Sequence, residues 1–156
     1  MTYERFEDLP VWKSAISLAE KIYALTEKPP FRRKYSLCDQ IERAALSISN
    51  NIAEGFERGT TQELLTFLYI ARGSAGEVRS MLYFIEKLSV FQGLKFEISN
   101  LKSEVEGISR QIRAWADSLQ NSKIKGQRYL NEKGRLIAKN RKEKEEFLNT
   151  LTSYKR

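Results

Sequence analysis

Residues 94–119 carry the most regular hydrophobic pattern in the chain, and this pattern restricts the folds available to it. Eight apolar residues follow one another at alternating steps of four and three: Leu94, Ile98, Leu101, Val105, Ile108, Ile112, Trp115 and Leu119. Steps of three and four place side chains on one face of an α-helix. A face that stays apolar for about seven turns must be buried against other helices. The segment therefore predicts one long helix of a helical bundle.

Three further segments show helical periodicity, at residues 9–26, 37–57 and 61–88. Short stretches with proline, glycine and charged residues separate them, and no strand pattern lies between them. Four amphipathic helices joined by short turns predict an all-α fold, an antiparallel up-down-up-down four-helix bundle. The bundle is assigned to residues 1–121, and residues 122–156 form a basic C-terminal extension that is expected to be flexible or to become ordered on a partner.

Local sequence signals predict where the helices begin and which faces they bury. Asp8 and Ser36 are expected to cap the first and second helices, and Thr60 with Glu63 forms a capping-box pattern before the third. The predicted apolar face of the first helix comprises Trp12, Ala15, Ile16, Ala19, Ile22 and Tyr23. The third helix is predicted to bury Leu64, Phe67, Leu68, Ala71, Ala75, Val78, Leu82 and Ile85.

The absence of histidine limits the chemistry that the chain can perform. It excludes Ser-His-Asp and Cys-His nucleophiles and the Glu-x-x-His di-iron sites of four-helix bundles. The single cysteine, Cys38, excludes an internal disulfide and a multi-cysteine zinc site, and its neighbours Leu37 and Ile41 favour a buried thiol over a redox role. We therefore expect no enzymatic activity, no cofactor and no metal.

The N-terminal sequence and the longest uncharged run indicate where the protein acts. The start, MTYERFEDLP, is polar and does not resemble a signal peptide. The longest run without charge, residues 44–53, is too short to span a bilayer. We expect a cytoplasmic bacterial protein with no membrane partner.

Charge is distributed unevenly along the chain. Residues 1–121 hold 16 Lys and Arg against 16 Asp and Glu, whereas residues 122–156 hold 11 against 4. The whole formal charge of +7 therefore lies in the last 35 residues. A basic terminal segment on a neutral body suggests binding to an anion, of which nucleic acid is the commonest in a cell. A solvated tail that only maintains solubility is the alternative.

The predicted nucleic-acid contacts are placed in this basic extension. They comprise Lys123, Lys125, Arg128, Arg135, Lys139, Arg141 and Lys142, with Tyr129 available to stack on a base. The body supplies secondary candidates: Arg32, Arg33, Lys34, Arg58, Arg72, Arg79, Arg110 and Arg113. Nothing in the sequence indicates base-specific recognition.

Polar residues lie beside the apolar stripes of the second and third helices. These residues are Ser47, Asn51 and Glu54 on the second helix, and Ser74 and Glu77 on the third. If the two helices are antiparallel neighbours, the five side chains can form one polar cluster. We interpret it as a buried hydrogen-bond network that fixes helix register or a subunit interface. The alternative is that Glu54 and Glu77 hold a hard metal ion for phosphodiester hydrolysis.

Small residues on the third helix allow another backbone to approach it closely. The stretch comprises Ala71, Gly73, Ser74, Ala75 and Gly76. Each glycine costs about 1 kcal/mol relative to alanine inside a helix. An assembly contact or a tight core contact is therefore expected here, with a helix kink as the alternative.

The run Ser47-Ile48-x-x-Asn51-Ile52-Ala53-Glu54-Gly55, followed by Gly73-Ser74-x-x-Glu77, resembles the signature of the four-helix-bundle family of 23S rRNA intervening-sequence proteins. The resemblance extends over roughly residues 5–120. More distantly, the family is similar to the accessory variability proteins of diversity-generating retroelements. The resemblance implies a homo-oligomer, expected to be a pentamer, that binds RNA or DNA and accompanies a nucleic-acid enzyme such as a reverse transcriptase. A protein–protein adaptor whose tail docks on a protein partner is the other function left open.

Overall fold

A computed structural model describes residues 3–121, 140, 143–147 and 150 of the protein. Residues 3–121 contain four α-helices: α1 (Pro10–Thr26), α2 (Tyr35–Glu57), α3 (Thr61–Lys87) and α4 (Lys95–Gln120). Short 3-10 helices precede or connect them, at Phe6–Asp8, Pro29–Phe31 and Ser89–Leu94. The described part of the chain contains no β-strand. The predicted all-α fold with four long helices is confirmed.

Contacts between the helices give their order and direction. α1 packs against α2 and α4, and α3 packs against the same two helices. Between α2 and α3, Gln40 is bonded to Glu77 and Ser47 to Ser74, so residue numbers rise along one helix as they fall along the other. The same opposite order holds for α4 against α1 and α3, in the pairs Lys21–Glu104, Lys28–Glu97, Glu86–Lys102 and Tyr69–Gln120. These contacts are those of an antiparallel bundle.

The apolar repeat of α4 faces the core as predicted. Ile98, Leu101, Val105, Ile108 and Ile112 are buried, and Leu94, Trp115 and Leu119 are half-buried against them. The predicted face of α3 is also buried, except that Phe67 is half-buried. The four helices therefore share a core made from the stripes that the sequence displays.

The face predicted for α1 is only partly correct. Leu18 and Leu25 are buried in the core, whereas Ile16 is half-buried and Tyr23 is 40% exposed. α1 carries apolar residues on more than one side, and its contacts with both α2 and α4 select the side that contains Leu18 and Leu25. Apolar spacing alone did not distinguish these two faces.

Of the three predicted helix caps, only the capping box is confirmed. Thr60 Oγ1 accepts the backbone N–H of Glu63 at 3.2 Å, and the Thr60 hydroxyl donates to the Glu63 carboxylate at 2.8 Å. The caps predicted at Asp8 and Ser36 are wrong: Asp8 ends the 3-10 helix that precedes α1, and Ser36 lies inside α2, which begins at Tyr35. No side chain caps either of these two helix starts.

An ion pair joins α3 to α4 near the ends that the Ser89–Leu94 segment connects. The Lys102 ammonium donates to Glu86 at 2.6 Å and lies 4.3 Å from the centroid of the Tyr83 ring. Only 14% of the Lys102 side chain and 18% of the Glu86 side chain are exposed. The hydrogen bond from Lys102 lowers the pKa of the Glu86 carboxyl group, so this group remains ionised in the folded protein at neutral pH.

The connections α1–α2 and α3–α4 lie together at one end of the bundle. The buried rings of Phe31 and Phe91 are 4.5 Å apart between centroids, and each belongs to one of the two connections. Lys28 also donates to Glu97 across them at 2.5 Å. We name residues 27–34 and 86–97 the loop end; the α2–α3 turn lies at the opposite end.

Candidate functional site

Three uncharged polar side chains meet where α2 packs on α3. The Oγ atoms of Ser47 and Ser74 are 2.9 Å apart. Asn51 Nδ2 donates to Ser47 Oγ at 3.0 Å and to the Ser47 carbonyl at 2.7 Å. Because the Ser74 hydroxyl donates to the Ile70 carbonyl at 3.1 Å, the Ser47 hydroxyl is the donor to Ser74. A continuous chain of hydrogen bonds therefore runs from Asn51 through both serines to Ile70, and we name it the serine network.

Glu54 and Glu77 do not join the serine network. Glu54 is paired with Arg58 at 2.6 Å, and Glu77 accepts from Gln40 Nε2 at 3.2 Å. Beside Glu54 on α2, Gly55 lies against Phe67 of α3, which is ten residues from Glu77. Ten helical residues span about 15 Å, so the two carboxylates cannot share a metal ion within one chain. Of the five predicted cluster residues, the structure brings together Ser47, Asn51 and Ser74.

Arg58 holds the turn between α2 and α3. Its guanidinium contacts Glu54 at 2.6 Å and Glu63 at 3.7 Å, and lies 5.1 Å from the centroid of the Phe67 ring. The arginine thus links the last turn of α2 to the first turn of α3. These contacts lie at the turn that joins the two helices carrying Ser47 and Ser74.

A shallow groove of about 780 Å³ follows α2 beside the serine network. Its lining includes Gln40, Arg43, Ser47, Asn50, Asn51 and Glu77. Within the part of the chain that the structure describes, no group of three or more His, Cys, Asp or Glu side chains could hold a metal ion. Amides and hydroxyls in an open groove suit hydrogen bonding to another surface.

The close approach between two helices occurs at Gly55. A Cβ atom added to Gly55 would lie 2.7 Å from Phe67 Cβ and 3.2 Å from a Leu64 methyl carbon. At Gly73 and Gly76 an added Cβ would meet no heavy atom within 4 Å. The tight core contact predicted for the small-residue stretch is therefore wrong for these two glycines. Their surface is open in the single chain, which leaves the assembly interpretation in place.

The Cys38 thiol has the properties of a structural side chain. Cys38 is half-buried, and its Sγ lies 3.8 Å from the Phe31 carbonyl. Burial raises the pKa of the Cys38 thiol, and the nearby Glu42 carboxylate raises it further. The group is therefore protonated at neutral pH, which makes it a poor nucleophile.

The predicted nucleic-acid contacts in the extension all lie outside the described residues. They are Lys123, Lys125, Arg128, Tyr129, Arg135, Lys139, Arg141 and Lys142. On the body, Arg110 and Arg113 each pair with a carboxylate of their own helix, and Arg58 pairs with Glu54 at the end of α2. Arg32 and Arg33 have no carboxylate oxygen within 4 Å among residues 3–121. The sequence did not distinguish these two groups of arginines.

Changing Ser74 to alanine is expected to lower the free energy of unfolding by about 1–2 kcal/mol, because the Ser47 hydroxyl loses its acceptor in a half-buried position. The double variant Ser47→Ala/Ser74→Ala should cost less than the sum of the two single changes. Urea unfolding measures all three, with the exposed Ser80→Ala on the same helix as control. If the losses in free energy of unfolding for the two single changes add up to that of the double variant, the two hydroxyl groups do not stabilise each other.

None of the described helices combines the length and the apolar composition needed to cross a membrane.

No curated protein matches the chain. The family model described as 23S rRNA-intervening sequence protein matches residues 7–121, a span that contains all four helices and the serine network. The chain therefore belongs to the 23S rRNA-intervening sequence protein family.

Proposed function

We propose that the protein is a non-enzymatic, homo-oligomeric scaffold of five chains that binds structured RNA or DNA through the phosphate backbone. It would act in the cytoplasm beside a nucleic-acid enzyme such as a reverse transcriptase. The main support for the proposal is the uneven distribution of charge. Residues 1–121 have no net charge, whereas residues 122–156 have a net charge of +7. A cationic segment binds a polyanion by releasing its counterions, and this requires no reading of bases.

The ion pairs of the body support the assignment of phosphate contacts to the extension. Lys21 and Lys102 each bind a glutamate of another helix, and Lys28 in the α1–α2 connection binds Glu97 of α4. Arg58 binds two glutamates at the α2–α3 turn. Each of these cations is largely neutralised by its glutamate partner, so it would attract a phosphate less strongly than an unpaired cation. In a pentamer, five extensions would together carry about +35, and binding through several of them at once would raise affinity steeply.

The outer surface of α2 and α3 supports self-association. The open glycines Gly73 and Gly76 allow close approach of another helix, and Ile70 and Phe84 on the same helix are 47% and 56% exposed. The groove beside the serine network adds hydrogen-bonding groups. Such a combination of small, apolar and uncharged polar groups is suited to a partner helix.

Native mass spectrometry of the full chain tests the oligomeric part of the proposal. The expected mass is five times that of the 18.1 kDa chain. Gly73→Leu should reduce the assembly to smaller species while leaving the helical signal intact, because that position is open within one chain. Gly107→Leu, on an open position of α4, is the matched control. A wild-type monomer at micromolar concentration would contradict the scaffold.

Fluorescence anisotropy with a labelled RNA hairpin and a DNA duplex tests nucleic-acid binding. The logarithm of the association constant should fall with the logarithm of salt concentration by about 0.9 per phosphate contact, or roughly 6 for seven contacts. Affinities for unrelated sequences of equal length should agree. Binding no tighter than that of an unrelated basic protein at physiological salt would contradict the proposal.

The second candidate function is a protein–protein adaptor with no nucleic-acid role, whose tail docks on a protein partner. Residues 143–147 are helical and exposed, and the Phe147 ring is 63% exposed. An apolar ring on a helical segment is a group that a protein partner would cover. Absence of binding in both anisotropy assays would favour this function.

A further inference from the structure

The loop end of the bundle carries more positive charge than its own carboxylates neutralise. Residues 27–34 and 86–97 together hold six cations, Lys28, Arg32, Arg33, Lys34, Lys87 and Lys95, against three carboxylates, Glu27, Glu86 and Glu97. The net charge of the loop end is therefore +3. Because the net charge of residues 1–121 is zero, the rest of these residues carry a net charge of −3. The neutral body is thus polarised, with one positive end.

Two of the three carboxylates at the loop end already have partners. Glu97 binds Lys28 at 2.5 Å, and Glu86 binds Lys102 at 2.6 Å. Arg32 and Arg33 are exposed, and no carboxylate oxygen of residues 3–121 lies within 4 Å of either guanidinium. Within residues 3–121, therefore, no ion pair competes with an external anion for these two arginines.

Exposed aromatic rings accompany these cations. Tyr35 follows the basic triplet directly and is 80% exposed, and Phe96, on the first turn of α4, is 81% exposed. These two are the most exposed large hydrophobic side chains among the described residues. The α4 core begins two positions later, at Ile98, so packing within the chain does not explain the position of Phe96.

The surface is supported by rigid structure beneath it. Phe31 and Phe91 are buried and in contact below the two connections, and the Lys34 ammonium lies 5.9 Å from the centroid of the Phe91 ring. Tyr35 and Phe96 both project from the first turns of long helices. The backbone that carries the exposed cations and rings is therefore fixed before a partner arrives, which lowers the entropic cost of binding.

We propose that the loop end and the adjoining Tyr35 bind unpaired nucleotides, with Arg32 and Arg33 holding phosphates and Tyr35 and Phe96 stacking on bases. Arginines next to exposed rings are the groups that bind single strands, since every base has a face that can stack. Bases inside a duplex are already stacked on each other and cannot reach the rings. The site would thus bind loops or single strands of a structured nucleic acid, a specificity that deepens the proposed function and rests on it.

Single-strand binding by the full chain tests the site. The probes are labelled 12-nucleotide oligouridine RNA and oligothymidine DNA, measured by anisotropy. Tyr35→Ala/Phe96→Ala should weaken binding to both by at least roughly 10-fold and leave duplex binding within about two-fold. Tyr3→Ala/Tyr69→Ala, which removes two exposed rings outside the loop end, is the matched control and should leave single-strand binding unchanged.

Two further readouts separate stacking and phosphate contacts from a loss of structure. The fluorescence of 2-aminopurine in a single strand should be quenched by the wild type and not by Tyr35→Ala/Phe96→Ala.

Arg32→Gln/Arg33→Gln should reduce the salt slope for single strands by about 1.4, at 0.7 per lost phosphate contact. Arg110→Gln/Arg113→Gln, on α4, is its control and should leave the slope unchanged. Stronger binding to oligouridine than to oligothymidine would identify RNA as the ligand. Equal binding to the two would mean that the site contacts bases and phosphates and does not distinguish the sugars.

The proposal is overturned if Tyr35→Ala/Phe96→Ala binds single strands as tightly as the wild type. It is also overturned if this variant loses duplex and single-strand binding equally, or if the wild type binds neither oligonucleotide. Duplex binding by the wild type would in each of these cases leave the proposed scaffold function standing. Conversely, single-strand binding that depends on the two rings, without duplex binding, would contradict the extension as the phosphate site and support the loop end.

Discussion

Phe31→Ala is expected to lower the free energy of unfolding by about 3–5 kcal/mol. The Phe31 side chain is 2% exposed, and its ring contacts that of Phe91 at 4.5 Å between centroids. Removing the ring would leave a cavity beneath both connections of the loop end, because the surrounding helices can collapse only in part. The loss of the aromatic pair adds to the cost of the cavity.

Urea unfolding followed by far-UV circular dichroism, at one fixed protein concentration, measures this effect. The matched control is Phe96→Ala, a change of the same chemistry at an 81% exposed position, which should shift stability by less than about 0.5 kcal/mol. A loss below about 1 kcal/mol for Phe31→Ala would mean that the two connections are not packed on each other as described.

Gly55→Val should destabilise the protein by about 3 kcal/mol. The new Cβ would lie 2.7 Å from Phe67 Cβ, and both atoms are attached directly to helix backbone, so no side-chain rotation relieves the clash. Separation of α2 from α3 would also stretch the bond between Ser47 and Ser74. Overpacking of a well-packed contact commonly costs about 1–3 kcal/mol, and a β-branched residue adds its own cost in a helix.

Gly107→Val on α4 is the matched control for this change. An added Cβ at Gly107 meets no heavy atom within 4 Å, so only the small difference in helix propensity should be measured. Thermal or urea unfolding of the two variants under identical conditions gives the comparison. Equal stability of Gly55→Val and Gly107→Val would contradict the close approach of α2 and α3.

The sequence predicted the helices well because their apolar stripes are long and regular. The eight-residue repeat of α4 points to one face only, and that face is the one that the core contains. α1 is different, since Ile16 and Tyr23 lie on one side and Leu18 and Leu25 on another. Which side becomes buried depends on two neighbouring helices that are distant in sequence. Periodicity within α1 therefore could not decide it.

The serine network was predictable only in part. Ser47 and Asn51 are four residues apart, so their contact follows from helix geometry. Their contact with Ser74 depends on the register between α2 and α3, two helices that also meet at the close approach of Gly55 to Phe67. The same register separates Glu54 from Glu77, although spacing along each helix gave no sign of it.

The loop end shows the same division between local and long-range information. The triplet Arg32, Arg33, Lys34 and the adjacent Tyr35 are visible in the sequence as one exposed basic segment. Phe96 lies about sixty positions later and reads as one more apolar residue of α4. Only the contact between the two connections brings these groups to one end of the molecule.

Phosphate binding by the extension is tested most directly by comparing the full chain with a variant in which seven of the eleven cations of the extension are changed to glutamine. These are Lys123, Lys125, Arg128, Arg135, Lys139, Arg141 and Lys142. The control changes the four lysines among them to arginine, which preserves the charge. Affinity for one RNA hairpin is measured at physiological salt. We expect at least a roughly 100-fold loss for the glutamine variant and almost none for the arginine control. Equal affinity of the glutamine variant and the wild type would contradict phosphate binding by the extension.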